Sequence, residues 1–419
     1  MPGCDRLGRG TGYGGIQAAV ILMDVATLRD TYRSALLEDV LPFWLKHGLD
    51  EENGGYFTSL NRDGSLLDSD KSVWVQGRFA WLLSTLCNVV GSNDQWLQAA
   101  RSGLDFIDQH CIDPSDGLMW FHVSKDGLPI RKRRYRFSEA FACIANAAYF
   151  QCTGEEDRAE KAANFYKIYK AHQQNPALSP FPPKFTDTRP SKGIGGPMIA
   201  LNMAQVCRAA NIPGMDWQAE VDASIAEIKT DFVHPDIECV METVAVDGSR
   251  IDDHFDGRTL NPGHAIEAAW FILQEAKFRG GDEELIKLGT QMLDWMWQRG
   301  WDKEYGGILY FVGIDAKPVQ EYWHDMKFWW PHNETEIASL LAWQLTGRER
   351  YAKMHSQIHD WSWSHFPDPE QGEWFGYLRR DGAVSNPAKG NMWKGPFHIP
   401  RMMLMGWQIC EELTAKNAK

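Results

Sequence analysis

An acidic turn that runs into an aromatic strand recurs four times along the chain, and that recurrence constrains the fold most. It reads Asp50-Glu-Glu-Asn-Gly-Gly-Tyr-Phe57, Asp113-Pro-Ser-Asp-Gly-Leu-Met-Trp-Phe121, Asp302-Lys-Glu-Tyr-Gly-Gly-Ile-Leu-Tyr-Phe311 and Asp368-Pro-Glu-Gln-Gly-Glu-Trp-Phe-Gly-Tyr377. Asp-Gly pairs suited to hairpin turns follow at 63–64, 126–127, 247–248 and 381–382. The copies fall on multiples of a unit of roughly 60–67 residues, and a period of that size signals a repeat architecture.

Between the turns, apolar residues recur with helical spacing. The pattern predicts helices over 24–47, 73–90, 95–112, 137–153, 157–175, 198–211, 217–232, 263–279, 283–299, 331–346, 350–364 and 398–414. Six helical hairpins that stack and bury a continuous face close into an all-α (α/α)6 barrel, with short β-hairpins on one rim. No low-complexity linker divides the chain, so residues 24–419 read as one domain. Residues 1–23, glycine-rich and then briefly apolar, read as a disordered N-terminal extension.

Composition narrows the function. The 419 residues are 44% hydrophobic and 24% charged, as in a globular protein with a large core. A net charge of −13 argues against nucleic acid or an anionic membrane as partner. No run approaches the 18 apolar residues of a membrane span. The eight cysteines are scattered without a C-x-x-C and read as reduced thiols of a cytoplasmic protein.

Even-numbered helices are expected to form the inner wall. Pro197, Pro262, Pro331 and Pro400 stand at the starts of four of them, where a missing N–H costs nothing. The long connections therefore converge on the N-terminal ends of the inner helices, and a concave site belongs there. The candidates are Trp74 and Arg78 on the second helix, Glu139 on the fourth and Asn202 on the sixth. His264 and Glu267 lie on the eighth, His332 and Glu334 on the tenth, and Trp393, Lys394 and His398 around the start of the twelfth. Asn261 suits the cap of the eighth helix, and the helix dipole favours a neutral His264, as a general base requires. Arg78 inside a barrel needs a carboxylate or a ligand. Tryptophans at the mouth suit either wall packing or sugar rings. His264, Glu267, His332, Glu334 and His398 could ligate a metal, but no pair of them has helix-borne i,i+4 spacing and Arg78 would repel a cation, so no metal is expected.

Five segments resemble the N-acylglucosamine 2-epimerase family, also described as renin-binding protein in mammals. They are Lys71-x-Val-Trp-x-Gln-Gly-Arg78, Asn261-Pro-Gly-His-x-Ile-Glu267, Asp325-Met-Lys-x-Trp-Trp-Pro-His332, Gly372-Glu-Trp-Phe-Gly-Tyr-Leu378 and Trp393-Lys-Gly-Pro-Phe-His-Ile-Pro-Arg401. Pro396 replaces a cysteine that some members carry. Cellobiose 2-epimerases and aldose-ketose isomerases share the barrel and histidine pair, but segments 325–332 and 393–401 resemble the acylglucosamine enzymes more. The resemblance implies interconversion of N-acetylglucosamine and N-acetylmannosamine at C2. His264 and His398 are then the acid/base pair, with Arg78 and Glu334 beside the substrate and Glu267 in support. Trp74, Asn202, His332, Trp393 and Lys394 are expected to contact the sugar. The resemblance also implies no cofactor for the chemistry, ATP as an activator and a homodimer. An inverting glycoside hydrolase and a non-catalytic binding protein are the rival classes.

Overall fold

The computed structural model describes residues 24–132, 136–175, 178, 188–315 and 317–417. The extension expected over residues 1–23 lies outside them. Among the described residues, twelve long helices follow one another. The first, α1, runs through Val25–Ser34, a π-turn at Ala35–Val40 and Leu41–His47. Next come α2 Val73–Val89, α3 Asp94–His110, α4 Phe137–Thr153, α5 Glu156–Gln174 and α6 Gly195–Ala209. Then α7 is Trp217–Glu227 with a π-turn at Ile228–Phe232, α8 Pro262–Phe278 and α9 Glu283–Gly300. Last are α10 Trp329–Thr346, α11 Glu349–His365 and α12 His398–Asn417. All twelve predicted segments are helices. The sixth begins three residues early, because Gly195 and Gly196 enter its first turn rather than break it.

Burial separates the two layers. Helix α10 buries every residue from Trp329 to Ala342, as a helix surrounded on all sides must. Helix α3 buries only a stripe through Ala99, Ala100, Gly103, Leu104, Phe106 and Ile107. The even-numbered helices pack in sequence from α2 to α12, and α1 packs on α12 to close the ring. Trp81 of α2 meets Phe397 at the entry to α12, with ring centroids 5.3 Å apart. This is the (α/α)6 barrel, with small antiparallel sheets on one rim.

The repeated turn has a construction of its own. The first aspartate of each copy folds its side chain back onto the amides that follow. Asp50 accepts from Glu52 and Asn53, and Asp302 accepts from Glu304. Its other oxygen takes a lysine ammonium from the far side of the hairpin: Lys71 on Asp50, Lys132 on Asp113, Lys327 on Asp302 and Lys389 on Asp368. The acidic turns are thus neutralised internally. The Asp-Gly glycines take positive φ and seat on the last turn of an outer helix seventeen residues earlier. Gly64 lies on His47, Gly127 on His110, Gly248 on Asp231 and Gly382 on His365, each too close for a Cβ.

The rim sheets aim the inner helices. Lys71–Ser72, Thr259–Leu260 and Lys327–Phe328 run directly into α2, α8 and α10, and each pairs with a strand of the next hairpin. A polar side chain in the helix's first turn then holds the preceding turn. Gln76 accepts from the Tyr56 amide, Glu139 from the Met119 amide and Nε2 of His332 from the Ile308 amide. These residues pin the repeat in place.

Candidate active site

Arg78, Glu267 and Glu334 each occupy the sixth position of an inner helix, so they reach the barrel interior at one depth. His264 sits one turn nearer the mouth on α8, and His398 opens α12. Asn261 caps α8 as expected: its side-chain oxygen accepts from the His264 amide at 3.2 Å.

Two imidazoles lie against one indole. The Trp330 ring lies 5.0 Å from His264 and 5.9 Å from His398, centroid to centroid. Each histidine is held by a carboxylate at Nδ1. His264 faces both oxygens of Glu242 at 3.0 and 3.1 Å, and His398 faces Glu334 at 2.7 Å. Facing carboxylates favour the ring hydrogen on Nδ1, where Asn261 Nδ2 and an Arg401 nitrogen also approach to 3.1 and 3.3 Å, and no described residue hydrogen-bonds Nε2 of either ring. An imidazole so held presents Nε2 for proton transfer.

Their surroundings push them apart in basicity. Burial disfavours charge on His264, but Glu242, with Glu267 and Glu334 behind it, outweighs burial and raises its pKa above the ordinary value. This reverses the dipole-based expectation of a neutral His264, because a carboxylate in contact acts more strongly than partial charges at a helix end. The carboxylate in contact is Glu242, not Glu267 on the same helix. For His398, burial leads, Arg401 and Arg78 add to it, and the pKa falls well below the ordinary range.

Below the histidines lies a charge cluster. One guanidinium nitrogen of Arg401 reaches Glu267 at 2.6 Å and Glu334 at 2.7 Å, while the Trp270 indole donates to the second oxygen of Glu334 at 2.6 Å. Donor atoms of Glu267, Glu334 and His398 lie within 4.8 Å of one another, a grouping that would suit a cation. The cation present is Arg401. The same closeness disfavours an inverting hydrolase, whose carboxylates stand about 6.5–9.5 Å apart around a water.

Arg78 is the least satisfied charge in the site. It is buried against Phe141, Phe397 and Trp74, with its guanidinium carbon 4.1, 4.9 and 5.3 Å from their ring centres. It donates one hydrogen bond, to the Trp393 carbonyl at 3.3 Å, and its Nε is buried without a partner. Burial pushes its pKa down to about 9, so it stays charged at neutral pH. A buried cation with donors to spare is built to meet an oxygen that gains negative charge.

The remaining candidates divide. Trp74 is buried at the mouth with Trp393 against it, their ring centres 5.6 Å apart, and Trp393 is half-exposed. Asn202 is half-buried on α6, with no hydrogen bond to a described residue. His332 and Lys394 do not belong with the sugar-facing set. Both ring nitrogens of His332 are taken, by the Phe328 carbonyl at 2.7 Å and the Ile308 amide at 2.9 Å. The Lys394 ammonium is buried on Glu373 and the Lys389 carbonyl.

Sequence reasoning missed Glu242, Arg401 and Trp270. Glu242 had one signal, a lone carboxylate between Cys239-Val-Met and Thr243-Val-Ala. Arg401 closes a quoted motif but carried no assigned role.

A family model described as N-acylglucosamine 2-epimerase (GlcNAc 2-epimerase) matches residues 55–399. The N-acylglucosamine 2-epimerase of Bos taurus is 34% identical over 381 residues, covering 90% of this chain and 89% of the bovine protein. The cellobiose 2-epimerase of Eubacterium cellulosolvens is 23% identical over 393 residues, covering 88% of this chain and 95% of that protein. The solved cellobiose 2-epimerase of Spirochaeta thermophila DSM 6192 has the same barrel, with a TM-score of 0.80 at 20% identity, over 93% of this chain and 98% of that one. A family match spanning most of the barrel, with bovine identity along nearly the whole chain, leaves one assignment: this chain belongs to the N-acylglucosamine 2-epimerase family.

Proposed function

We propose that the protein interconverts N-acetylglucosamine and N-acetylmannosamine by moving a proton at C2. The observation that carries this reading is the pair of carboxylate-held imidazoles that both lie against Trp330, with no described residue on either Nε2. In its open form the sugar is an aldehyde, which acidifies the hydrogen on C2. One Nε2 removes that hydrogen, the charge moves onto the aldehyde oxygen, and Arg78 stabilises the resulting enolate. The other Nε2 then delivers a proton to the opposite face, and the N-acyl group stays in place throughout.

The test is direct: incubation with N-acetylmannosamine yields N-acetylglucosamine by NMR, and kcat/KM on cellobiose is lower. A higher value on cellobiose overturns the substrate assignment. The reading extends to a cytoplasmic homodimer activated by ATP, which the same assay with and without ATP, and sedimentation, check.

The electrostatics set a pH profile. Turnover needs one histidine protonated and one neutral. Activity rises with pH as His398 loses its proton, below the ordinary histidine range, and falls as His264 loses its own, above it. The plateau therefore straddles the ordinary histidine pKa. Glu242→Gln removes the carboxylate that raises His264, so the alkaline limb of kcat/KM moves to lower pH and the plateau narrows. An alkaline limb that stays in place in this variant removes Glu242 from the mechanism.

A further inference from the structure

Arg401 is buried in the first turn of α12 with its guanidinium over Phe397 and Trp270, ring centres 4.5 and 5.2 Å away. Its contacts to Glu267 on α8 and Glu334 on α10 run through a single nitrogen, so it ties three inner helices at one point. Glu334 is held from both sides, by Arg401 on the oxygen that also meets His398 and by Trp270 on the other. A carboxylate fixed at both oxygens cannot swing away from an imidazole.

We propose that Arg401 is a positioning residue for the reaction: by clamping Glu267 and Glu334 together it aims Glu334 at Nδ1 of His398 and leaves Nε2 as the atom that meets C2. The proposal rests on the two-histidine reading above. The same Arg401 nitrogen also lies 3.3 Å from Nδ1 of His398, so its contacts are all with the acid/base machinery and its removal acts on proton transfer more than on binding.

The clamp also sets the charge around His398. That ring is faced by Glu334 from α10, Glu267 and His264 from α8, Arg78 from α2 and Arg401 from its own helix. Two carboxylates and two guanidiniums balance there, and deleting one guanidinium leaves the acids in excess. His398 then takes up a proton at higher pH and is less available as a base.

The experiment compares Arg401→Met, which keeps length and apolar bulk, with Arg401→Lys, which returns a charge. Arg401→Met is expected to lower kcat at least about 10²-fold, the low end for a misplaced acid/base group, while KM changes little. Its acid limb of kcat/KM moves to higher pH, and Arg401→Lys recovers at least about tenfold of the lost rate. Nitrogen-15 NMR of the substrate-free protein shows His398 protonating at higher pH in Arg401→Met, with His264 nearly unmoved. C2 hydrogen exchange slows for one epimer only, the one that His398 serves.

If Arg401→Met does not fold, Trp270→Phe removes one donor from Glu334 and keeps the ring. It should show a smaller kcat loss with the same shift of the acid limb. A lower melting temperature with an unmoved acid limb and unmoved His398 titration overturns the positioning role. So does an equal slowing of both half-reactions. A wild-type protein without epimerase activity would sink the function reading, whereas the NMR titration decides the clamp without substrate.

Discussion

Asparagine in place of His264 or His398 is expected to stop net epimerisation, with a loss of at least about 10²–10⁴-fold, because the proposed mechanism makes each the acid or base on one face of C2. The two losses differ in kind. Each imidazole is fixed by its own carboxylate, Glu242 for His264 and Glu334 for His398, and both lie against Trp330. Each therefore serves one epimer as base and the other as acid. In D2O, early product from the wild-type protein carries deuterium at C2 while unreacted substrate keeps protium. Each single variant still exchanges the C2 hydrogen of one epimer, and the two variants exchange different epimers. NMR of both sugars during the first turnovers reads all of this at once. If both variants exchange the same epimer, or either one epimerises near the wild-type rate, two-base catalysis fails. Protium retained in the product would instead point to a single base that reaches both faces.

The barrel was legible because its determinants are periodic. Helical spacing, a turn motif on a fixed unit and prolines at the starts of inner helices are local signals, and all twelve helices followed from them. Function was legible only in part, because one pattern hid two jobs. Gln76, Glu139 and His332 stand in the first turns of inner helices just as His264 does, yet they bind backbone amides of the preceding turn. What separates them is whether a second partner closes the side chain off, and spacing does not report that. Pairing across the barrel was equally hidden. Glu242 meets His264 from the bend between two rim strands, and Arg401 meets Glu267 and Glu334 from a different helix, contacts that no periodicity encodes. The five family-like segments nevertheless supply most of the site, since Arg78, His264, Glu267, His398 and Arg401 all stand within them.

Lys71→Met is expected to cost about 3–5 kcal/mol of folding stability, the range for removing one partner of a buried ion pair. The Lys71 and Asp50 side chains are 0% and 2% exposed, and the ammonium also donates to the carbonyls of Gly54 and Lys125 at 2.7 and 2.8 Å. Methionine matches the stem but leaves the buried Asp50 carboxylate with only neutral donors from Glu52 and Asn53 and no counter-charge. Total stabilities are about 5–15 kcal/mol, so the loss is a large share of what holds the fold. Lys132→Met supplies the internal control. Its partners Asp113 and Asp116 are 13% and 33% exposed, so water can replace the ammonium and the cost should fall to about 1 kcal/mol. Removing both charges of the buried pair, as Lys71→Met with Asp50→Leu, should recover part of the loss, because no charge then remains unpaired. Urea unfolding of the three variants orders these costs, and an Lys71→Met loss no larger than that of Lys132→Met would show that the repeat is not held by its buried ammoniums. The damage also reaches the active site. Lys71 and Ser72 run directly into α2, six residues before Arg78 emerges among Trp74, Phe141 and Phe397. A loosened turn lets that guanidinium drift from the aldehyde oxygen, so the Lys71→Met protein that remains folded should turn over more slowly at saturating substrate.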